Sequence, residues 1–377
     1  MKIDPFPEYH QLRESTSSSL LRTLRLDLPL FAELLLLSGI GTLILFSASG
    51  QDIDLIIKQV TRLAIAFAIM FILAQVPPHH LQRHAPLLYG IGIILLVSVL
   101  LMGEVGKGAQ RWLDLGLFRF QPSEMIKITT PLMLSYYLAE HPLPPRIGSL
   151  LFTGVLVLVP TLLIAKQPDL GTALLVASSG AAVLFFAGIS RMIILSLFLS
   201  GVSLIPIMWY FMHEYQKARV LTFLNPEADP LGNGYHIIQS KIAIGSGGLY
   251  GKGWLNGTQS HLEFLPERST DFIFAVFAEE FGLMGCLGLL TLYLLIIGRG
   301  LQIAVQAQES FGRLLAGSLT ATFFVYVFVN IGMVIGILPV VGIPLPLISY
   351  GGTSMVTLLA GFGILMSIQT HKKFLSH

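Results

Sequence analysis

The chain alternates long apolar stretches with short polar ones. Read in windows of about 19 residues, the hydrophobic positions gather into ten blocks: 30–49, 59–76, 86–102, 124–139, 149–165, 171–189, 192–212, 271–298, 313–337 and 345–370. A helix needs about 20 apolar residues to cross a bilayer, and the blocks have roughly that length. In lipid every backbone amide must bond within its own segment, so the blocks predict helices. The weak alternation of a membrane barrel is absent, and so is an internal sequence repeat. The expected fold class is an all-α polytopic membrane protein, a bundle of about ten transmembrane helices.

The gaps set the domain organisation. Residues 1–29 read as a cytoplasmic tail, 30–370 as one transmembrane domain and 371–377 as a second cytoplasmic tail. Glu8, Arg13, Glu14 and Asp27 precede the first block. That stretch is longer and more acidic than the start of a signal peptide, so the first helix is expected to be retained. Two gaps are long, 103–123 and 213–270, and both are expected outside the cytoplasm. The second lies before the eighth helix and holds Tyr235, Ile237, Leu249, Trp254 and Phe264, which favour burial. It is expected to be structured, partly helical, and laid back on the bundle. Pro339–Pro346 interrupts the last two blocks, and irregular backbone at membrane depth packs on protein or lines a cavity. Of the 23 Lys and Arg residues, eleven fall on the side of the termini, seven in the short opposite loops and helix mouths, and five in the long loop. That bias places both termini in the cytoplasm.

Composition narrows the picture. The chain is 54% hydrophobic and 12% charged, with a mean hydropathy of +0.75. Soluble domains are about 25% charged, so a soluble or disordered protein is excluded. A net charge of +2 leaves no electrostatic footprint for nucleic acid. The one cysteine, Cys286, excludes an internal disulfide, and no zinc-ligand spacing exists. The run from Gly245 to Gly253 imitates a phosphate loop, but Ser246 and Gly253 stand where Gly and Ser or Thr are required. Its glycines fit a tight turn or a close backbone approach better.

Charges are costly in a membrane, and three groups of them sit at the outer mouths. The first joins Arg111 and Asp114 to Glu124 and Lys127. Pro122 suits the first turn of a helix, Glu124 follows within it, and Lys127 shares its face three residues on. An internal ion pair and a pair facing a cavity both fit. The second is Lys166-Gln167-Pro168-Asp169, where Asp169 reads foremost as a helix cap. The third is Glu263, Glu267, Arg268 and Asp271. Asp271 sits where the long loop enters a helix, so a cap is again the simple reading. Glu279 and Glu280 lie about 12–13 Å further along that helix and are expected to face the interior and bond to neighbouring helices. Carboxylates among cations at a membrane mouth suit an anionic substrate, such as a lipid-linked phosphate, whose reaction needs a base. Lipid enzyme, flippase and transporter all remain open on these grounds.

Longer motifs add a resemblance. Gln121-Pro122-Ser123-Glu124, Gln167-Pro168-Asp169-Leu170-Gly171-Thr172, Asn225-Pro226-Glu227, the run from Gly234 to Gly248, Phe264-Leu265-Pro266-Glu267 with Thr270-Asp271-Phe272, and Pro344-Leu345-Pro346-Leu347-Ile348-Ser349-Tyr350-Gly351-Gly352 resemble the SEDS family of shape, elongation, division and sporulation proteins. The match is ordered over roughly 30–372 and is nearer the elongation branch than the division branch. The resemblance implies a ten-helix glycosyltransferase of the bacterial inner membrane, which polymerises lipid II into β-1,4 glycan and releases undecaprenyl pyrophosphate. It implies Asp271 as the residue tied to polymerisation, with Glu124 and Lys127 also functional. Arg111, Lys241, Arg219, Arg268 and Asp169 are the candidate substrate-binding residues beside them. It implies no tightly bound cofactor, with a divalent cation such as Mg2+ or Mn2+ as a helper. Its implied partners are a class B penicillin-binding protein and other membrane proteins of the elongation complex. Ser269 stands where the family often has His, so no histidine between the Arg and the Thr assists the aspartate. A flippase without polymerase chemistry, or a subunit that only positions another enzyme, are the competing readings.

Overall fold

The computed structural model describes residues 25–106, 109–114, 119–212, 214–226, 233–258 and 267–371. Each predicted block falls on a helix. In chain order these are α1 (Leu28–Ala48), α2 (Ile53–Gln75), α3 (Pro78–Met102), α4 (Pro122–Ala139), α5 (Ile147–Lys166), α6 (Leu170–Phe186), α7 (Arg191–Phe211), two shorter helices α8 (Glu214–Leu224) and α9 (Asn233–Gly247), then α10 (Ile273–Gln306), α11 (Ser310–Val334) and α12 (Gly352–Thr370). Among the described residues, seven are long and apolar enough to cross a membrane: α1, α2, α3, α5, α10, α11 and α12. Leucines and isoleucines such as Leu35, Leu43, Ile72, Ile94 and Leu162 are more than half exposed along them. In water that surface would be a liability, whereas in lipid it is the solvent-facing side.

Packing places α11 and α12 at the centre. In α11 67% of the apolar window is buried and in α12 61%, against 22–39% for the other five. Lipid tails are as apolar as leucine, so helices associate through close backbone approach rather than hydrophobic burial. Gly41 of α1 lies against the backbone at Leu347 and Ile348, and Gly363 of α12 against the backbone at Met70.

Three departures from the expectation are physical. The described residues between 104 and 120 are extended. Strands β1 (Glu104–Gly106), β2 (Ala109–Asp114) and β3 (Arg119–Phe120) form an antiparallel sheet in the order β1-β2-β3, with Gly106 opposite Ala109 and Asp114 opposite Arg119. The all-α reading therefore needs this small β cap. The last block does not begin as a helix at 345, because Pro344, Pro346 and the left-handed Leu347 (φ 61°) hold the chain in turns until Gly352. Finally, α10 is broken at Gly282 (φ 64°, ψ −164°). The glycine run enters that break. Lys252 and Gly253 amides donate to the Glu279 and Glu280 carbonyls at 3.0 Å each, and Leu283 and Met284 amides donate to Gly248 and Leu249 at 3.0 and 3.1 Å. Any Cβ on Gly251 or Gly282 would strike the facing backbone, which is why the run carries glycine. Glu280 accepts from the Ser47 hydroxyl of α1, as expected. Glu279 instead bonds the inserted segment, accepting from Lys252 Nζ at 2.7 Å and Thr258 N at 2.8 Å.

Candidate active site

Two polar pockets flank the irregular stretch between α11 and α12. The first is a cavity of about 170 Å³ built on the start of α4. Pro122 fixes the first helical turn, which sets Glu124 and Lys127 side by side. Both are buried, at 7% and 5% exposure. Lys127 Nζ lies 2.7 Å from Glu124 Oε1 and donates to the Tyr326 hydroxyl at 2.6 Å. A lysine out of water needs such partners, since an uncompensated buried charge is costly. Glu124 Oε2 is buried with no hydrogen-bond partner among the described residues. Across the cavity Asp169 caps α6, accepting from the Thr172 amide at 3.3 Å. Its other oxygen accepts from Gln121 Nε2 at 3.3 Å and lies 3.8 Å from Arg111 Nε. The cap reading of Asp169 is correct, and the same carboxylate also lines the pocket. Arg111 is held there by donating to the Pro168 carbonyl.

The second cavity, of about 150 Å³, is lined by Thr222, His236, Ile237, Glu267, Asp271, Phe272 and Val340. Asp271 sits in a tight turn in which the Thr270 and Phe272 amides both donate to the Glu267 carbonyl, at 3.0 and 3.3 Å. Asp271 is not the N-cap residue of α10. Phe272 occupies the N-cap position of α10 and supplies no side-chain bond. His236 stacks on Phe272 (centroids 5.6 Å apart, planes at 19°). Burial holds its pKa below the ordinary histidine value, against the opposing charge of Glu267.

The wall between the cavities is the stretch from Val340 to Pro344. Val340 lines the second, while Gly342, Ile343 and Pro344 line the first. A Cβ on Gly342 would lie 3.5 Å from Asp271 Oδ2, so the carboxylate reaches this wall. Ser349 fastens the stretch to the Asp271 turn, donating to the Thr270 carbonyl at 2.6 Å while accepting from the Leu345 amide at 2.8 Å.

The structure therefore brings Arg111, Glu124, Lys127 and Asp169 together, with Asp271 at the adjoining wall. It does not bring every candidate there. Lys241 is exposed on α9 with its stem against Gly336. Arg268 is half-buried near Gly50. Neither is among the residues lining the two cavities. The Arg219 side chain lies outside the described residues. Sequence reasoning missed Tyr326 and Asn330, one turn apart in α11. Their signal was available, because polar side chains four residues apart inside an apolar block share one face. Among the described residues no group of three or more His, Cys, Asp or Glu could hold a metal. Glu124 and Asp169 do share the first cavity, and Mg2+ is commonly held by one or two carboxylates with substrate phosphates completing its shell. These two carboxylates are the ones in this cavity that would hold such an ion.

An apolar helical bundle with buried charges in pockets at its core defines a multi-pass membrane protein. The family model for FtsW, RodA and SpoVE, a cell cycle protein family, matches residues 28–374, and the chain belongs to that family. The peptidoglycan glycosyltransferase MrdB of Escherichia coli is 57% identical over 352 residues, covering 93% of this chain and 95% of that one. The peptidoglycan glycosyltransferase RodA of Treponema pallidum is 32% identical, covering 92% and 98%. Among solved structures, a chain of a peptidoglycan synthase complex that coordinates polymerization and crosslinking superposes with a TM-score of 0.81 at 33% identity, covering 92% of this chain and 99% of that one. The rod shape determining protein RodA of Thermus thermophilus gives 0.70 at 29% identity, covering 92% and 98%.

Proposed function

We infer that the chain is a peptidoglycan glycosyltransferase, and propose that it polymerises lipid II in the bacterial inner membrane during cell elongation. All ten apolar helices would span the membrane, with both termini cytoplasmic and the two pockets facing outward. The transmembrane domain would run over 30–370, flanked by the two tails. In lipid II the sugar is α-linked to undecaprenyl pyrophosphate, and the polymer is β-1,4. One inverting displacement suffices, with the base and the leaving group on opposite faces of the sugar. Asp271 takes the proton of the acceptor hydroxyl, a contribution of order 10²–10⁴-fold. Arg111 and Lys127 hold the pyrophosphate, and Glu124 orients Lys127. Glu124 and Asp169 are the residues that would hold a divalent ion, which would supply positive charge toward the leaving pyrophosphate. A class B penicillin-binding protein crosslinks the product.

The observation that supports this reading is that the Asp271 carboxylate reaches the wall of the Lys127 pocket. Purified protein is incubated in detergent with labelled lipid II and a divalent cation, with and without the crosslinking partner. A ladder of glycan on a gel is the expected result. Detergent has no second compartment, so a flippase would give none, and a blank lane under every condition would turn the reading to translocation.

A further inference from the structure

We propose that Asn330 is a positioning residue that sets the Asp271 carboxylate against the Lys127 pocket. The inference rests on the reading of Asp271 as the base.

Asn330 is 0% exposed near the C-terminal end of α11. A polar amide at that depth is expensive unless its hydrogen bonds are made. Both of its protons are used on irregular backbone. Nδ2 donates to the Asp271 carbonyl at 2.9 Å and to the Ile343 carbonyl at 2.7 Å. Its Oδ1 has no partner among the described residues, so the side chain serves as a two-pronged donor. One prong grips the turn that carries the base. The other grips the wall that the base faces. The amide therefore fixes the spacing between Asp271 and Gly342 from behind, without touching substrate.

The same helix face carries the other reference point. Tyr326, one turn earlier, is bonded to Lys127 Nζ. One rigid element thus locates the cation of one pocket and the carboxylate of the other. In a direct displacement the acceptor hydroxyl and the leaving pyrophosphate must sit in register, and misplacement by about 1 Å costs on the order of 10²-fold in rate. Neither a leucine nor a carboxylate can supply two donors to two carbonyls.

The test is steady-state polymerisation of lipid II by full-length Asn330→Leu, Asn330→Gln and Asn330→Asp beside Asp271→Asn. Asn330→Leu should lose about 10²-fold in kcat with the lipid II KM held within a few-fold, a loss confined to the transition state. Asn330→Gln, which keeps both donors on a longer arm, should recover part of it. Asn330→Asp gives a second, independent signature. Protonation restores one donor, so its activity relative to wild type should rise as pH falls. Asn330→Leu with wild-type kcat beside an inactive Asp271→Asn would overturn the inference and leave the base in place. An active Asp271→Asn would overturn the base and the inference together. Should Asn330→Leu fail to fold, the pH profile of Asn330→Asp decides, and a profile parallel to wild type would refute positioning.

Discussion

Lys127 is buried between a carboxylate and a phenol, and that arrangement makes its removal expensive. Lys127→Met leaves Glu124 charged and unpaired, and breaking a buried pair in this way typically costs about 3–5 kcal/mol. We expect a lowered unfolding temperature in detergent together with lost polymerisation. An unchanged unfolding temperature would show that the pair is wetter than its burial implies. His371, which follows α12, gives a prediction about pH. Burial lowers its pKa below the ordinary value, helped by the charge of Arg25 and opposed by the Ser367 carbonyl. The folded state thus favours the neutral ring. Its contribution is complete above the ordinary histidine value near 6.5 and is lost as pH falls below it. Between about pH 7.5 and about pH 5.5 the unfolding temperature should drop more in wild type than in His371→Asn. Residue-scale chemistry was legible where partners are near in sequence. Glu124 and Lys127 are three apart, and Asp169 caps the helix that follows it. Tyr326, 199 positions from Lys127, is brought there only by the bundle. Whether Asp271 or Phe272 stands at the N-cap of α10 could not be read at all, because the sequence does not fix the first helical residue to within one position.

The glycine run inserted into α10 is the least ordinary element. Its sequence announced a close approach but not the backbone it approaches, which lies some thirty residues on. Gly282→Ala should destabilise strongly, since the added Cβ meets the backbone of Gly251 and Leu249 at a left-handed position. Gly288→Ala on the same helix meets nothing within 4 Å. It should be neutral or stabilise by up to about 1 kcal/mol. Thermal unfolding of the two variants checks the pair, and equal effects would mean that the loop does not occupy the break. The helices themselves were legible because apolar blocks admit no other spanning structure. The strands between Glu104 and Phe120 were not, being two to six residues long, too short for a period of two to register.

At the scale of the whole molecule the account requires the two pockets to face outward. Cys286 is the one cysteine and is buried, so introduced cysteines report cleanly. Tyr250 is 80% exposed on the inserted loop, and His80 is exposed at the start of α3. In spheroplasts a membrane-impermeant maleimide should label Tyr250→Cys, and should label His80→Cys only after permeabilisation. The opposite pattern would invert the topology. Polytopic class and family were legible from hydropathy and motif order, whereas the division of the mouth into two pockets needed the fold. The central claim is that Asp271 performs chemistry at their shared wall, and the most direct measurement is glycan synthesis by purified Asp271→Asn beside wild type. The account predicts a ladder from wild type and none from the variant, with matching unfolding temperatures. A ladder from well-folded Asp271→Asn would contradict it.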